Sequence, residues 1–373
     1  MSLQNYKKIL VVGGTGVAGK FIVNDILKYI PNVQIDIGSR NINTSFRKAY
    51  EKIGKVKIDI NDSQAAIKII KNYDLVIFAL GPFGLFGNRP HKICCEAGVD
   101  CIDINDEIDV TMNIFALDEF ARAKGVKILT GMGLCPGLTT LLLLLVLKTS
   151  TQGEKILHLR LFLNRTKEIG LASVQTALNF YRQNIHIISN GSFCCIENNY
   201  NDELKRDFLF PNFDNYVPII YGSSSEAFTL KNNHYIDINE VIFFDFGICF
   251  QGLRKEDIVK IKQFKFFRNN QIKHHALKLI TQINKIFNIS GKNTQSIALA
   301  ECVCNDQTTR AYVTGMNSYQ MTASFASIIT ELLLKGEIFQ TTGVHSLESS
   351  EVDKEIFYKM LKTRDIKILF ETL

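Results

Sequence analysis

The chain has 373 residues, a length that predicts two domains at about 150 residues each and excludes a single small module. Hydrophobic residues make up 46% and charged residues 21%, with 24 glycines and 6 prolines, which excludes a disordered or low-complexity protein. The formal net charge of +6 is too small by itself to indicate a nucleic-acid-binding protein.

Neither a membrane span nor a metal site is predicted. The longest apolar run, Leu138 to Leu147, is well short of the roughly 20 residues that a spanning helix needs, and no apolar signal segment follows the first lysines. The nine cysteines contain no C-x-x-C pair, which predicts neither a zinc site nor a redox dithiol. This cysteine usage favours a reduced, cytoplasmic protein.

The first 150 residues alternate short apolar runs with amphipathic segments, the pattern of parallel strands joined by helical crossovers. The first run, residues 8–13, enters a glycine-rich turn and a helix from about Val17 to Tyr29. The pattern predicts an α/β fold, a Rossmann-type doubly wound parallel sheet with ligands at the carboxyl ends of its strands. The other strands are expected at Val33–Ile37, Val56–Ile60, Asp74–Leu80, Val99–Ile104 and Val126–Leu129.

The turn after the first strand contains G-x-G-x-x-G at Gly14, Gly16 and Gly19. Gly14 permits the tight turn, Gly16 lets a pyrophosphate approach the backbone, and Gly19 lets the helix pack on the strand. A tight turn that binds nothing is the alternative. A nucleoside triphosphate loop is disfavoured because Phe21 stands where it needs Ser or Thr for magnesium. Dinucleotide contacts are therefore predicted for Gly14, Thr15, Gly16, Val17, Ala18 and Gly19.

The second predicted strand ends in Gly38-Ser39-Arg40, where the cofactor's ribose is recognised. Arg40 suits a 2′-phosphate and can stack on adenine, and Ser39 adds a hydroxyl donor, so NADP is predicted. NAD stays the less favoured alternative, since a strand ending two residues earlier would make Asp36 the ribose ligand. Asp59, in the third predicted strand, is a further predicted cofactor contact.

Three more loops follow the later strands at the same edge of the sheet. Gly81, Pro82 and Phe83 form a rigid aromatic turn that is expected along the nicotinamide. The acidic turn Asp103–Glu107 suits a substrate amine, and it equally suits helix capping and turn formation. The last loop, Thr130–Gly137, suits a substrate carboxylate, and its Cys135 is interpreted as a small buried cysteine rather than as an acid or nucleophile.

In this order, the motifs resemble those of the saccharopine dehydrogenase-like oxidoreductases. Two later segments are similar to the family more loosely: Tyr221–Leu230, with Ala227 where the family has proline, and Thr342-Gly343-Val344 with Glu348. The stronger resemblance rests on Gly14–Gly19, on Gly81-Pro82-Phe83 with Gly87 and Cys94-Cys95, on Asp103–Glu107, and on Gly133 with Pro136-Gly137.

The resemblance implies an NADP(H)-dependent oxidoreductase that transfers hydride to or from a C–N bond of a small, amino-acid-derived substrate. Reduction of another double bond and a noncatalytic NADP-sensing module are the alternatives. Glu107, Asp106 and Glu226 are the candidates for the proton donor or for the group that binds a cationic substrate nitrogen. A short-chain dehydrogenase is disfavoured, because its Y-x-x-x-K occurs only at Tyr358 to Lys362 in the predicted final helix.

The predicted domains are an NADP-binding domain at 1–150 and an α+β substrate and dimerisation domain at 151–314, with 315–373 packing back on the first. Runs such as Val241–Phe250 stay apolar, which predicts that the strand-rich middle covers a sheet face by pairing with a second copy of itself in a homodimer. Lys255–Lys278 is interpreted as a solvated helix face rather than a nucleic-acid patch. Further elements are expected at Ile156–Leu163, Ala172–Arg182 and Ile272–Phe287.

Overall fold

The computed structural model describes residues 8–41, 53–164, 170, 184–197, 207–251, 295–315, 317–351 and 353–373. These residues form two compact units, divided within the helix that leaves the first sheet. The first unit takes residues up to Leu141, Asn232–His234 and Tyr319–Arg364, and the second takes Leu142–Lys231, Tyr235–Ser318 and Asp365–Leu373. The segments predicted as helices at Ala172–Arg182 and Ile272–Phe287, and the basic segment Lys255–Lys278, lie outside the described residues.

Strands and helices alternate through the first unit, as predicted, and α1 spans the predicted Val17–Tyr29. The strands are β1 (Lys8–Val12), β2 (Gln34–Ser39), β3 (Gly54–Lys57), β4 (Leu75–Phe78), β5 (Asp100–Asp103) and β6 (Lys127–Leu129). The helices are α1, α2 (Ser63–Ile70), α3 (Arg89–Ala97), α4 (Ile108–Phe115), α5 (Asp118–Ala123) and α6 (Leu138–Thr149).

The second half of the chain is richer in strands. Its strands are β7 (Lys155–Leu163), β8 (Ile185–Ser189), β9 (Ser192–Ile196), β10 (Asp207–Phe208), β11 (Val217–Pro218), β12 (Ile220–Gly222), β13 (Val241–Phe250), β14 (Ser296–Cys304), β15 (Gln307–Gly315), β16 (Gly343–His345) and β17 (Lys367–Thr372). Its helices are α7 (Glu226–Thr229), α8 (Ser318–Leu334) and α9 (Lys354–Lys362).

The first sheet is parallel throughout and has the order β3-β2-β1-β4-β5-β6-β16. The chain moves outwards from β1 in one direction through β2 and β3, and in the other direction from β4 onwards. This is the doubly wound Rossmann arrangement, and it is confirmed as the predicted fold class. The order reverses between β1 and β4, so the crevice for a ligand opens at the carboxyl ends of these two strands.

The second unit contains a mixed sheet with the order β17-β15-β14-β7-β13-β8-β9, and β12 also pairs with β13. β13 spans the predicted Val241–Phe250, and it has β7 on one side and both β8 and β12 on the other. The backbone hydrogen bonds of this strand are thus used inside the sheet, so a second copy could cover a face of the sheet but could not pair with this strand. The homodimer itself stays a prediction.

The carboxyl-terminal segment is shared between the units. β16 joins the first sheet beside β6, whereas β17 pairs with β15 in the second sheet. An ion pair of 2.9 Å between Arg364 Nε and Asp25 Oδ1 ties the end of α9 to α1, and the guanidinium of Arg364 also lies 4.1 Å from the ring of Tyr29. The domain limits at 150 and 315 stay a prediction. Among the helices of the described ranges, none combines the length and apolar composition that crossing a membrane requires.

Candidate active site

The glycine turn after β1 is too tightly packed for side chains at two of its positions. A Cβ on Gly14 would lie 2.8 Å from Cγ2 of Ile37, and a Cβ on Gly19 would collide with the carbonyl oxygen of Gly13. Gly16 is exposed at the N-cap of α1, and within the described part of the chain no side chain caps this helix end. The amino terminus of α1 is thus open and fits a pyrophosphate.

The end of β2 has the features that suit NADP. The strand continues to Ser39, so Ser39 and the exposed Arg40 stand at its carboxyl end, beside the crevice. Asp36 lies inside the strand and is 6% exposed. Its Oδ2 accepts a hydrogen bond of 2.7 Å from the Tyr73 hydroxyl and lies 3.5 Å from Nζ of Lys8. The carboxylate of Asp36 is therefore paired within the unit, and the strand does not end early enough to present it to a ribose.

Asp59 and the aromatic turn differ in what they present to solvent. Asp59 is exposed just beyond β3, and its Oδ1 accepts a hydrogen bond of 2.9 Å from the backbone N–H of Asn61. Phe83 is only 2% exposed and packs in the core of the first unit. The ring of Phe83 is thus part of the core, and the contact of this turn with the cofactor stays a prediction. Gly81, Gly84 and Leu85 are exposed in the same loop, with Leu85 at 66%.

The acidic turn after β5 consists of two successive Asx turns. Oδ1 of Asp103 accepts a 2.8 Å hydrogen bond from the N–H of Asn105, and Oδ1 of Asn105 accepts one of 3.1 Å from the N–H of Glu107. Asp106 is the central residue of the second turn. Oε1 of Glu107 accepts a 3.0 Å hydrogen bond from the N–H of Gly84, which joins the acidic turn to the aromatic turn. The two loops therefore form one structure at the carboxyl edge of the sheet.

Asp106 has the electrostatics of a proton donor. Burial, followed by the negative charge of Glu107 and a smaller effect of Asp103, raises the pKa of Asp106 from 3.8 to about 7. The side chain is nevertheless partly exposed. A carboxyl group in this environment can hold and release a proton near neutral pH.

Glu226 belongs to the second unit, where it begins α7. It is 0% exposed, and its Oε2 accepts a hydrogen bond from the hydroxyl of Ser224. The neighbouring strand β12 contains Tyr221, also buried, from the same predicted motif. Glu226 is thus a buried, hydrogen-bonded carboxyl group, and its role in the reaction stays a prediction.

The loop Thr130–Gly137 is largely buried, although Cys135 is partly exposed. Asp103 binds this loop as well, since its Oδ1 accepts a 2.9 Å hydrogen bond from the N–H of Gly131. His91 was not among the predicted site residues, yet its Nε2 lies 2.7 Å from Oδ2 of Asp103. No local pattern marks His91, because its partner is 12 residues away and is reached only through the packing of α3 on β5.

Tyr358 and Lys362 lie at the end of the chain, on α9, and Lys362 is exposed. Within the described ranges, no group of three or more His, Cys, Asp or Glu side chains is placed to hold a metal ion. All nine cysteines are free thiols.

Comparison with known proteins finds a family match within the first unit. Residues 9–129 match the family model described as the saccharopine dehydrogenase NADP-binding domain. A saccharopine dehydrogenase-like oxidoreductase of Rattus norvegicus is 23% identical over 145 residues, which are 34% of this chain and 34% of that protein. The match thus spans about a third of this curated relative. The resemblance found in the motifs and the prediction of an NADP-binding domain are confirmed.

Solved structures extend the likeness of the fold to nearly the whole chain. Apo saccharopine dehydrogenase (L-Glu forming) of Saccharomyces cerevisiae aligns over 98% of this chain and 100% of that one, with a TM-score of 0.66 at 14% identity. Homospermidine synthase of Legionella pneumophila, solved with NAD, aligns over 98% and 91%, with a TM-score of 0.62 at 11% identity. At these identities the structural matches show the fold.

Proposed function

We propose that this chain is an NADP(H)-dependent oxidoreductase, because residues 9–129 match the family model of the saccharopine dehydrogenase NADP-binding domain. Its reaction is hydride transfer to or from a C–N bond of a small, amino-acid-derived substrate. The observation that carries this proposal is the position of Asp106 and Glu107 at the same sheet edge as the glycine turn. A proton donor and a charged anchor for an amine are then available at the cofactor edge.

The first unit supplies the groups that would hold NADP. The open amino terminus of α1 suits the pyrophosphate, with Thr15, Val17 and Ala18 around it, and Gly81 and Pro82 border the crevice from the β4 side. Arg40 and Ser39 suit the 2′-phosphate, and Asp59 follows the neighbouring strand. When bound, the nicotinamide supplies the hydride or accepts it.

The two carboxyl groups of the acidic turn are given different tasks. Glu107 is held by the N–H of Gly84, so one of its oxygens is fixed while the other stays available to bind a cationic nitrogen. Asp106 holds a proton that can move to or from the substrate nitrogen as the C–N bond changes order. Glu226 is the third candidate, from the second unit. We assign the substrate and dimerisation roles to that unit, with its mixed sheet.

The test combines NADPH oxidation with a panel of mixtures of amino acids and 2-oxo acids, which form imines in solution. The variants are Asp106→Asn, Glu107→Gln and Glu226→Gln, each of which keeps the shape of the side chain and removes its charge. Asp109→Asn, at an exposed position in the first turn of α4, is the matched control. We expect turnover to fall about 100-fold in the variant that removes the proton donor, with NADPH binding preserved.

Full turnover in all three variants would remove these carboxyl groups from the mechanism. NADPH binding without turnover on any mixture of the panel would contradict the proposed function and favour a noncatalytic NADP-sensing module.

A further inference from the structure

One buried carboxylate, that of Asp103, binds segments from three parts of the first unit. Its Oδ1 accepts hydrogen bonds from the N–H of Asn105 at 2.8 Å, the N–H of Gly131 at 2.9 Å and the hydroxyl of Thr130 at 3.2 Å. Its Oδ2 lies 2.7 Å from Nε2 of His91. Both the acidic turn and the loop after β6 therefore bind a single oxygen atom, and helix α3 binds the other.

The hydrogen bond from His91 has a fixed direction. The Asp103 carboxyl group already accepts three hydrogen bonds at Oδ1, so we assign the hydrogen of the contact at Oδ2 to Nε2 of His91. Both side chains are 0% exposed. Nδ1 of His91 is buried and has no hydrogen-bond partner among the residues that the structure describes. Nε2 is therefore the atom through which His91 acts, and a replacement must offer a donor at that place.

Hydrogen bonds through Asn105 connect Asp103 to the backbone of the turn that contains Asp106 and Glu107. Asn105 is held by Asp103, and it holds the N–H of Glu107 through its own Oδ1 at 3.1 Å. Nδ2 of Asn105 also donates to Oγ1 of Thr111 at 2.9 Å, which fixes the turn on α4. Asp106 lies between two residues whose backbone is anchored in this way. A rotation of the Asp103 side chain would therefore displace the backbone that carries Asp106.

We propose that Asp103 and His91 are positioning residues, which fix the acidic turn and the loop after β6 against each other so that Asp106 and Glu107 keep their places at the cofactor edge. Asp103 supplies the oxygen shared by the two loops, and His91 fixes the orientation of that carboxylate. This assignment rests on the proposed function, in which the acidic turn serves the reaction.

The test uses two replacements of His91 that differ in reach. The amide nitrogen of His91→Gln can occupy the place of Nε2 and donate to Asp103, whereas that of His91→Asn falls near Nδ1 and cannot. Thr130→Val removes a weaker donor to Asp103 without changing shape or charge. His234→Asn, at an exposed position in the same unit, is the control. The readouts are kcat with NADPH and the titration midpoint of Asp106, measured by carbon NMR of labelled carboxyl groups.

We expect His91→Asn to lower kcat about tenfold or more and to shift the Asp106 midpoint, whereas His91→Gln keeps both close to those of the parent protein. Thr130→Val should change both in the same direction as His91→Asn, but less. The charged groups acting on Asp106 are Glu107 and Asp103, and none of these variants alters either of them. Thr130→Val moreover removes no titratable group, so a shift of the midpoint that it shares with His91→Asn reports a displaced turn and not a deleted charge.

The proposal is overturned if His91→Asn and Thr130→Val lower only the thermal stability, with kcat and the Asp106 midpoint unchanged. It is equally overturned if His91→Gln and His91→Asn show the same fall in kcat and the same shift of the Asp106 midpoint. Should the parent protein turn over no substrate, the proposed function fails, and the NMR midpoints of the same variants still decide whether His91 positions the turn. If His91→Asn does not fold, Thr130→Val and His91→Gln are compared instead. The proposal then requires a lower kcat and a shifted Asp106 midpoint in Thr130→Val, and is overturned if both quantities are unchanged in that variant.

Discussion

The hydroxyl of Tyr73 donates a 2.7 Å hydrogen bond to Oδ2 of Asp36, in the middle of β2. Burial, together with this hydrogen bond to a carboxylate, raises the pKa of Tyr73 well above its usual range, so Tyr73 stays a donor at any physiological pH. The register pairs Asp36 with Leu10 and Gly54, and the strand continues to Ser39. The carboxylate that a NAD-specific site would place on the ribose is consequently bound inside the fold.

This arrangement predicts the outcome of a cofactor titration. Replacing Arg40 by Ala should weaken NADPH binding by about 10- to 100-fold, since a charge-assisted contact to the 2′-phosphate is lost, and should leave NADH binding nearly unchanged. Asp36→Asn is the matched variant, and it should leave the preference for NADPH as it is. Isothermal titration of both cofactors measures this. Equal affinities for NADPH and NADH in the parent protein would contradict the assignment.

A second prediction concerns the pH dependence of stability. The pKa of Asp106 is about 7 in the folded chain against 3.8 as its ordinary value, so the folded state binds more protons between these limits. This contribution to stability is fully present below about pH 4, and it is lost as the pH rises to about 7. In Asp106→Asn this loss should be absent. The free energy of unfolding of the variant, relative to that of the parent, should therefore increase as the pH rises from about 4 to about 7.

Urea unfolding at a series of pH values provides the measurement, and Asp109→Asn is again the control. A difference between Asp106→Asn and the parent that does not vary with pH would show that Asp106 has an ordinary pKa, and would remove the basis for its role as the proton donor.

In the second unit, Asp245 gives a prediction of opposite sign. Its Oδ1 lies 2.6 Å from Nη1 of Arg160 and 2.7 Å from Nδ1 of His158. Burial is the largest single effect and opposes ionisation, but the charge of Arg160 and the interactions with His158 together outweigh it, so the pKa of Asp245 is lowered to about 2. Its contribution to stability is therefore present above about pH 4 and is lost as the pH falls to about 2.

Asp245→Asn should lower the free energy of unfolding at pH 7 by about 3–5 kcal/mol, because Arg160 is left buried without its partner. The same variant should lose less further stability than the parent on acidification. Asp214→Asn, at an exposed position in the same unit, should do neither. An identical acid transition for Asp245→Asn and the parent would show that this carboxylate does not titrate between the two limits.

The parts of the first unit that the sequence predicts well are those with local causes. The apolar runs that became β1, β2, β4, β5 and β6 are largely buried strands, whereas β3 is mostly exposed and shares only Val56 and Lys57 with its predicted run. The glycine turn needs its glycines for contacts within a few residues of the chain or with the adjacent strand. β16 could not be foreseen, because Gly343–His345 is a strand only through its pairing with β6, more than 200 residues earlier. Neither could the position of β13 inside its sheet, since an apolar run has the same appearance whether its neighbours come from the same chain or from another.

The site shows the same division. The motif order located the acidic turn and the end of β2 correctly at the sheet edge, whereas the environment of each side chain depends on distant partners. The ring of Phe83 is buried in the core, and the carboxylate of Asp36, the alternative ribose ligand, is bound by Tyr73. His91 had no sequence signal at all, although it contacts the carboxylate that holds the acidic turn.

The transfer of deuterium from labelled NADPH to a product follows the proposed hydride transfer itself. NADPH carrying deuterium at the transferred position of its nicotinamide is incubated with the full chain and the imine-forming mixtures, and the products are analysed by mass spectrometry. We expect a secondary or primary amine with one deuterium on the carbon bonded to nitrogen, formed with NADPH in preference to NADH. Label on a carbon not bonded to nitrogen, or no labelled product while NADPH is bound, would contradict it.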